Sequence, residues 1–200
     1  MNFLLHKTKF KSEEKHVNNE LIFDSNYWDF INLVGDGFFF HNSFHLFGKS
    51  ENNSFHDLIF RTELIKSIYK DMIPADVVSF GEDLFGNHFV YSSEGIGLFQ
   101  LETAEIEYIA SDFHEFIGEF TALIDYYTGE SLAVAWLTNH TIDYEERLAP
   151  KLPFIVNGLY EVENLYKINY VRNLQFHSDL AIQIKNLPDG TTIKFDILPE

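Results

Sequence analysis

Carboxylates are the residues of this chain best placed to do chemistry, and they are concentrated. Between Asp71 and Glu146 there are sixteen of them, with no lysine or arginine. Two carboxyl groups at a set separation, one with a raised pKa, are the equipment of a glycoside hydrolase. Sixteen acids make any single pair uninformative, and a solvated acidic face is the plainer reading. Histidine is the second resource, with nine copies. His41 and His45 are four apart, but on an expected hairpin, and no acid lies between them in the way a zinc protease requires. His6, His16, His56, His88, His114, His140 and His177 are scattered singly and read as surface or core-edge residues. No metal and no other cofactor is expected.

Other motifs fail on spacing. Gly81, Gly86, Gly95 and Gly97 match neither nucleotide fingerprint, no lysine follows them, and Glu82, Asp83 and Glu94 would repel phosphate. No segment alternates oxygen ligands in calcium-hand order, and no serine sits in a nucleophile elbow. There is no cysteine, hence no disulfide or thiolate chemistry.

The charge distribution is uneven. The net −17 divides as −1 before Asp71, −16 from Asp71 to Glu146, and 0 after it. The ends balance their charge, so clustering in the middle suits a face that meets a basic partner as well as one that serves solubility. Strong negative charge disfavours nucleic acid and anionic membranes. Phe3, Leu4 and Leu5 form too short an apolar run for a signal peptide, with the lysines on the wrong side, and no run is long enough to span a bilayer. A cytoplasmic protein is expected.

Elements must position these acids. An apolar content of 46%, with 21 Phe, 10 Tyr and 2 Trp, supplies an aromatic core. The pattern predicts an arm over residues 1–19 and a helix over 20–34, with Asp24 or Ser25 as N-cap. A hairpin follows around His41 to Ser43. Phe55, Leu58, Ile59, Thr62, Ile65 and Tyr69 mark a helix over 54–71. Strands are predicted at Val77 to Phe80, His88 to Tyr91, Ile96 to Leu101 and Ile106 to Ala110, with Gly81 to Gly86 as a turn-rich link. Asp112, with Glu115 three residues on, opens a helix along Phe113, Phe116, Phe120, Leu123 and Tyr127. Ser131 to Thr138 is a short helix, Phe154 to Val156 a strand, Tyr170 to Lys185 a helix, and Ile193, Phe195 and Ile197 a terminal strand. The fold class is α+β: a mostly antiparallel or mixed sheet of about five to six strands flanked by helices. Residues 20–147 form the domain, and 148–200 form a C-terminal α/β extension upon it.

The run from Val78 to Phe89 is similar to the central signature of the SUKH superfamily: an apolar strand, Phe80-Gly81, the acidic pair Glu82-Asp83, Phe85-Gly86, then a second strand. Phe99, Leu101-Glu102-Thr103, Ile106 to Ile109 and Asp112-Phe113-His114-Glu115-Phe116 follow in matching order. Phe38 to Gly48 resembles the family's earlier hairpin. The resemblance covers residues 20–137. It implies an α+β fold without enzymatic activity that binds a bacterial toxin domain, often a nuclease, in the cytosol. A regulatory scaffold of the yeast cell-wall regulator type is the alternative. Nuclease surfaces are basic, so an acidic inhibitor fits them on charge alone. The candidate partner contacts are Glu82, Asp83, Glu94, Glu102, Glu105, Glu107, Asp112, Glu115 and Glu119. Glu82 and Asp83 sit in the signature turn, where a role in the fold competes with binding. Monomer and homodimer both remain open.

Overall fold

Each of the first three helices starts on an aspartate. Asp24 accepts the Asn26 N–H at 2.9 Å and caps α1 (Ser25–Val34). Asp57 accepts the Phe60 N–H at 2.8 Å and caps α2 (Leu58–Tyr69). Asp112 accepts the Glu115 N–H at 2.9 Å and caps α3 (Phe113–Ala122), while the Glu115 carboxylate reaches back to the Ser111 N–H at 2.8 Å. The last is a reciprocal arrangement close to a capping box, as the sequence predicts. The structure is a computed structural model that describes residues 3, 6–8, 21–50, 54–185, 187 and 191. Most of the arm, the turn at Pro188 to Gly190 and the strand at Ile193 to Ile197 lie outside the described residues.

Six strands form one sheet: β1 (Gly37–Phe39), β2 (Phe44–Leu46), β3 (Val78–Asp83), β4 (His88–Ser92), β5 (Gly95–Gln100) and β6 (Glu105–Ala110). They lie side by side in chain order, each antiparallel to the next. Tight turns join β1 to β2 and each strand from β3 to β6, while α2 is inserted between β2 and β3, and the fold is α+β. After α3 come α4 (Ile124–Thr128) and α5 (Glu130–Leu137). A separate ribbon pairs β7 (Glu146–Pro150) with β8 (Leu165–Asn169) and leads into α6 (Tyr170–Ile184).

The two faces of the sheet are covered differently. On one, Phe44, Phe80, Phe89 and Leu98 meet Tyr27 and Ile31 of α1 and Phe113, Phe116 and Phe120 of α3. On the other, Val90 and Phe99 meet Ile65 and Tyr69 of α2 and Leu174 and Ala181 of α6. A third cluster joins Leu84 to Leu132, Trp136, Leu148 and Leu165, which fastens the ribbon to the end of β3. The Leu148 N–H donates to Leu84 O at 3.1 Å. A boundary at residue 147/148 would cut β7, and the chain beyond it shares both clusters with the main sheet.

Three local expectations are corrected. Gly81 to Asp83 are strand, because Glu82 pairs with His45 on one side and His88 on the other. Gly81 is needed there: a Cβ would lie 2.8 Å from His45 O and 3.2 Å from the Phe44 ring. Ile59 is exposed, and Arg61 takes its place on the buried side of α2. Phe154–Val156 is a 3-10 turn, not a strand, and its leading N–H groups are held by Glu102. No helix among the described residues is long and apolar enough to cross a membrane.

Candidate functional site

Antiparallel register places Phe38, His45, Glu82, His88, Phe99 and Ile106 in a single row across all six strands. The centre of that row is polar and enclosed, with Glu82 at 0% exposure. Arg61 reaches it from α2 and Arg147 from β7, and both guanidiniums pair with the Glu82 carboxylate. Arg61 lies between the Phe47 and Tyr170 rings, 4.7 and 4.5 Å from their centroids, where a guanidinium gains from stacking. Burial alone would raise the Glu82 carboxyl. The Arg147 and Arg61 charges and the His45 ring overcome that and hold it well below the carboxylate range.

The histidines in this interior sit among charged partners. His45 Nδ1 lies 3.0 Å from Glu82 Oε1 and 2.8 Å from Arg147 Nη2, and its Nε2 is 2.8 Å from His56 Nδ1. His56 Nε2 faces Asp36 Oδ2 at 3.4 Å. Arginine can only donate, and Arg61 Nη2 is 3.2 Å from His88 Nε2, so His88 Nδ1 donates to Ser79 Oγ at 2.6 Å. Burial and the Arg61 charge lower His88 to about 3, and burial with Arg147 and His56 lowers His45 despite Glu82. His45 and His88 are thus held neutral beside Glu82 and two guanidiniums, in an interior closed to solvent. It ties the middle of the sheet to α2 and β7.

Beside it opens a cleft of about 250 Å³. It runs between the β5–β6 end of the sheet and the loop after β7, and Glu102, Glu107, Gln100, Tyr126, Phe154 and His177 are among its lining residues. Glu102 accepts the Phe154 and Ile155 N–H groups at 3.0 and 2.7 Å. Burial raises its carboxyl against those two donors. Glu107 accepts the Tyr126 hydroxyl at 3.0 Å and the Gln100 amide at 3.1 Å. His177 Nδ1 lies 3.1 Å from Asn173 O, so it carries the proton and donates. Burial lowers this imidazole to about 4, so its Nε2, 3.9 Å from Glu102 Oε1, presents a lone pair. Asp83 closes the floor at 4% exposure, bonded by the Phe85 and Asn87 N–H groups and the Asn87 amide at 2.7–2.8 Å. Burial pushes it up to about 7 despite these donors.

The candidate contacts therefore separate into three groups. Glu82 and Asp83 are enclosed, which corrects their assignment as partner contacts: one neutralises buried arginines and the other ties the β3–β4 turn. Glu94 and Asp112 lie at the far end of the β5–β6 hairpin, where Glu94 and Ser111 border a different hollow beside Asp24 and Asp76. Glu102, Glu105 and Glu107 lie at the near end, and α3 brings Glu115 and then Glu119 back along the strand. Glu107 and Glu119 both act on Tyr127, so the two share one flank. Arg61, Arg147 and His177 were not among the residues that the sequence pattern singled out for a site. A signal existed for the first, since Arg61 is three residues after Leu58 and four before Ile65, on the apolar stripe. Among the described residues no group of three or more His, Asp or Glu is disposed to hold a metal ion.

No protein-family model matches the chain, and no curated protein matches it in sequence. Among solved structures it is similar to the crystal structure of Atu4351 from Agrobacterium tumefaciens, with a TM-score of 0.51 and 14% identity over 77% of this chain and 74% of that one. At that identity the likeness concerns the fold alone.

Proposed function

We propose that this chain is a non-catalytic binding protein of the cytosol that neutralises a basic bacterial toxin domain, in the manner of the SUKH immunity proteins its sequence resembles. The observation that carries the reading is the contrast in charge pairing. The interior acid Glu82 sits between two arginines. Among the described residues, Glu105, Glu107, Asp112, Glu115 and Glu119 make no ion pair, although they crowd one strand and one helix. Exposed like charges repel, and a basic partner relieves them. Leu123 and Tyr126, 50% and 64% exposed, stand beside Glu119 and Glu107 and offer apolar anchors of the kind that carry binding energy. The β6 strand is the edge of the described sheet, so its acids also keep other strands from adding to it.

The test is co-expression with basic nuclease toxin domains in bacteria. Growth rescue by the chain, lost when Glu105, Glu115 and Glu119 are all changed to lysine, is the expected result. Purified complexes should weaken by about tenfold per reversed contact and lose association rate with added salt. Rescue that survives the triple reversal would remove the acidic face from the function.

A further inference from the structure

Much of the donor capacity around the cleft is already committed. Asn87 gives one amide N–H to Asp83, Gln100 one to Glu107, Tyr126 its hydroxyl to Glu107, and His177 its Nδ1–H to Asn173 O. Against the acceptors of Glu102, Glu107 and the His177 Nε2 stand the second amide N–H groups of Asn87 and Gln100 and the Thr103 and Tyr160 hydroxyls. His177 is the decisive member. It is 2% exposed, its Nε2 faces the cleft, and that nitrogen makes no hydrogen bond. The nearest polar group, Glu102 Oε1 at 3.9 Å, is another acceptor. Two acceptors facing each other with no donor between them lack the N–H that would satisfy both.

We propose that this cleft receives an arginine side chain of the basic protein partner, its guanidinium set between Glu102, Glu107 and the His177 Nε2. A guanidinium carries five N–H donors, no acceptor and a full positive charge, the complement of this lining. The Phe85, Phe154 and Tyr160 rings, which touch one another at centroid distances of 5.3–5.7 Å, form an aromatic wall on which a planar cation stacks. The volume, about 250 Å³, is below the ~300–1,000 Å³ usual for whole small molecules and suits one long side chain. The inference rests on the binding function proposed above, and gives it a specific anchor where the exposed acids give only attraction.

The full chain is titrated with acetyl-Gly-Arg-Gly-amide and followed by NMR. Saturable shifts at Glu102, Tyr126 and the His177 Nε2 resonance are expected, with the citrulline counterpart giving none. Glu107→Gln should weaken the arginine peptide about tenfold, as should Glu102→Gln. The first of these leaves the Phe154 and Ile155 tie intact, so it separates binding from folding. Equal binding of arginine and citrulline peptides, or shifts elsewhere, would overturn the proposal. Free L-arginine binding tenfold tighter than the peptide would make the cleft a small-molecule site and overturn the partner assignment. If the two glutamine variants leave toxin affinity unchanged while the lysine triple abolishes it, the anchor is wrong and the acidic-face function stands. Peptide binding in the cleft with no toxin neutralised would remove the function, and with it the source assigned to the arginine.

Discussion

The two faces of the six-stranded sheet fill the same kind of space by opposite means. Under α1 and α3, rings meet rings: Phe116 touches Phe80, Phe89, Phe113 and Phe120 at centroid distances of 5.3–5.7 Å. Each contact is one of several that the same ring makes, so no single partner is indispensable. Under α2 and β7, His45, Glu82 and His88 occupy the middle of the face, and each bond depends on a particular partner. An aromatic face tolerates loss by rearranging. A charged one does not, because what is left behind is a buried ion without its counter-ion. The difference also explains why the C-terminal ribbon belongs to the fold: Arg147 is one of the two cations that Glu82 requires.

The largest expected effect follows from that asymmetry. Glu82→Gln changes almost no volume, yet it leaves two buried guanidiniums uncompensated and should cost about 3–5 kcal/mol. Urea unfolding of the variant measures it. A loss under about 1 kcal/mol would mean that the row is not held by its charges.

The second effect is pH dependence, carried by histidines buried on the charged side of the sheet and at the cleft. His45, His88 and His177 have depressed pKa values in the folded chain. They stay neutral when folded and take up protons when unfolded, so their contribution is full above about pH 6.5 and is lost as pH falls. Asp83, raised to about 7, holds its proton in the folded state and opposes that loss, and burial moves Glu102 in the same direction. The balance favours proton uptake by the unfolded chain by about one to two protons, or ~1.4–2.8 kcal/mol per pH unit. Stability should therefore fall by roughly 2–3 kcal/mol between pH 6.5 and 5. His88→Gln should flatten the slope by about one proton, and an unchanged slope would place the titration elsewhere.

The aromatic face supplies the smaller contrast. Phe116→Leu keeps the site apolar, and its neighbours close over part of the lost ring. About 1–2 kcal/mol is expected, with no change in pH slope. A larger cost than that of Glu82→Gln would reverse the ranking of the two faces.

The sequence exposes one face far better than the other. Phe113, Phe116 and Phe120 recur at helical spacing behind an aspartate cap, so α3 and its apolar stripe are legible from spacing alone. The α+β class and the antiparallel run from β3 to β6 are legible from short strands and tight turns. The charged row is not. Period-two alternation tells which residues share a face, but register is set by pairing, and nothing local places His45 opposite Glu82 opposite His88. A buried carboxylate also reads like an exposed one in a block of sixteen. Arg147 has a faint signal, as the first basic residue after that block. Glu102 has none, since its partners Phe154 and Ile155 are 52 and 53 residues away. The cleft is invisible for the same reason: its two walls come from distant parts of the chain.

Surface acids give the smallest stability effect and the sharpest functional one. Glu105 and Glu119 are exposed and make no ion pair among the described residues. Neither holds an element in place. Changing both to lysine should leave unfolding free energy within about 0.5 kcal/mol of the parent, or raise it slightly by easing repulsion. The same carboxylate chemistry that costs several kcal/mol to disturb at Glu82 is thus close to free at the edge of β6. If the double variant unfolds at the parent's urea midpoint and still fails to neutralise a basic toxin, the acids at the edge serve recognition and the acid at the centre serves the fold. A shifted midpoint would show that the edge charges also hold the sheet, and the contrast between buried and exposed carboxylates would lose its force.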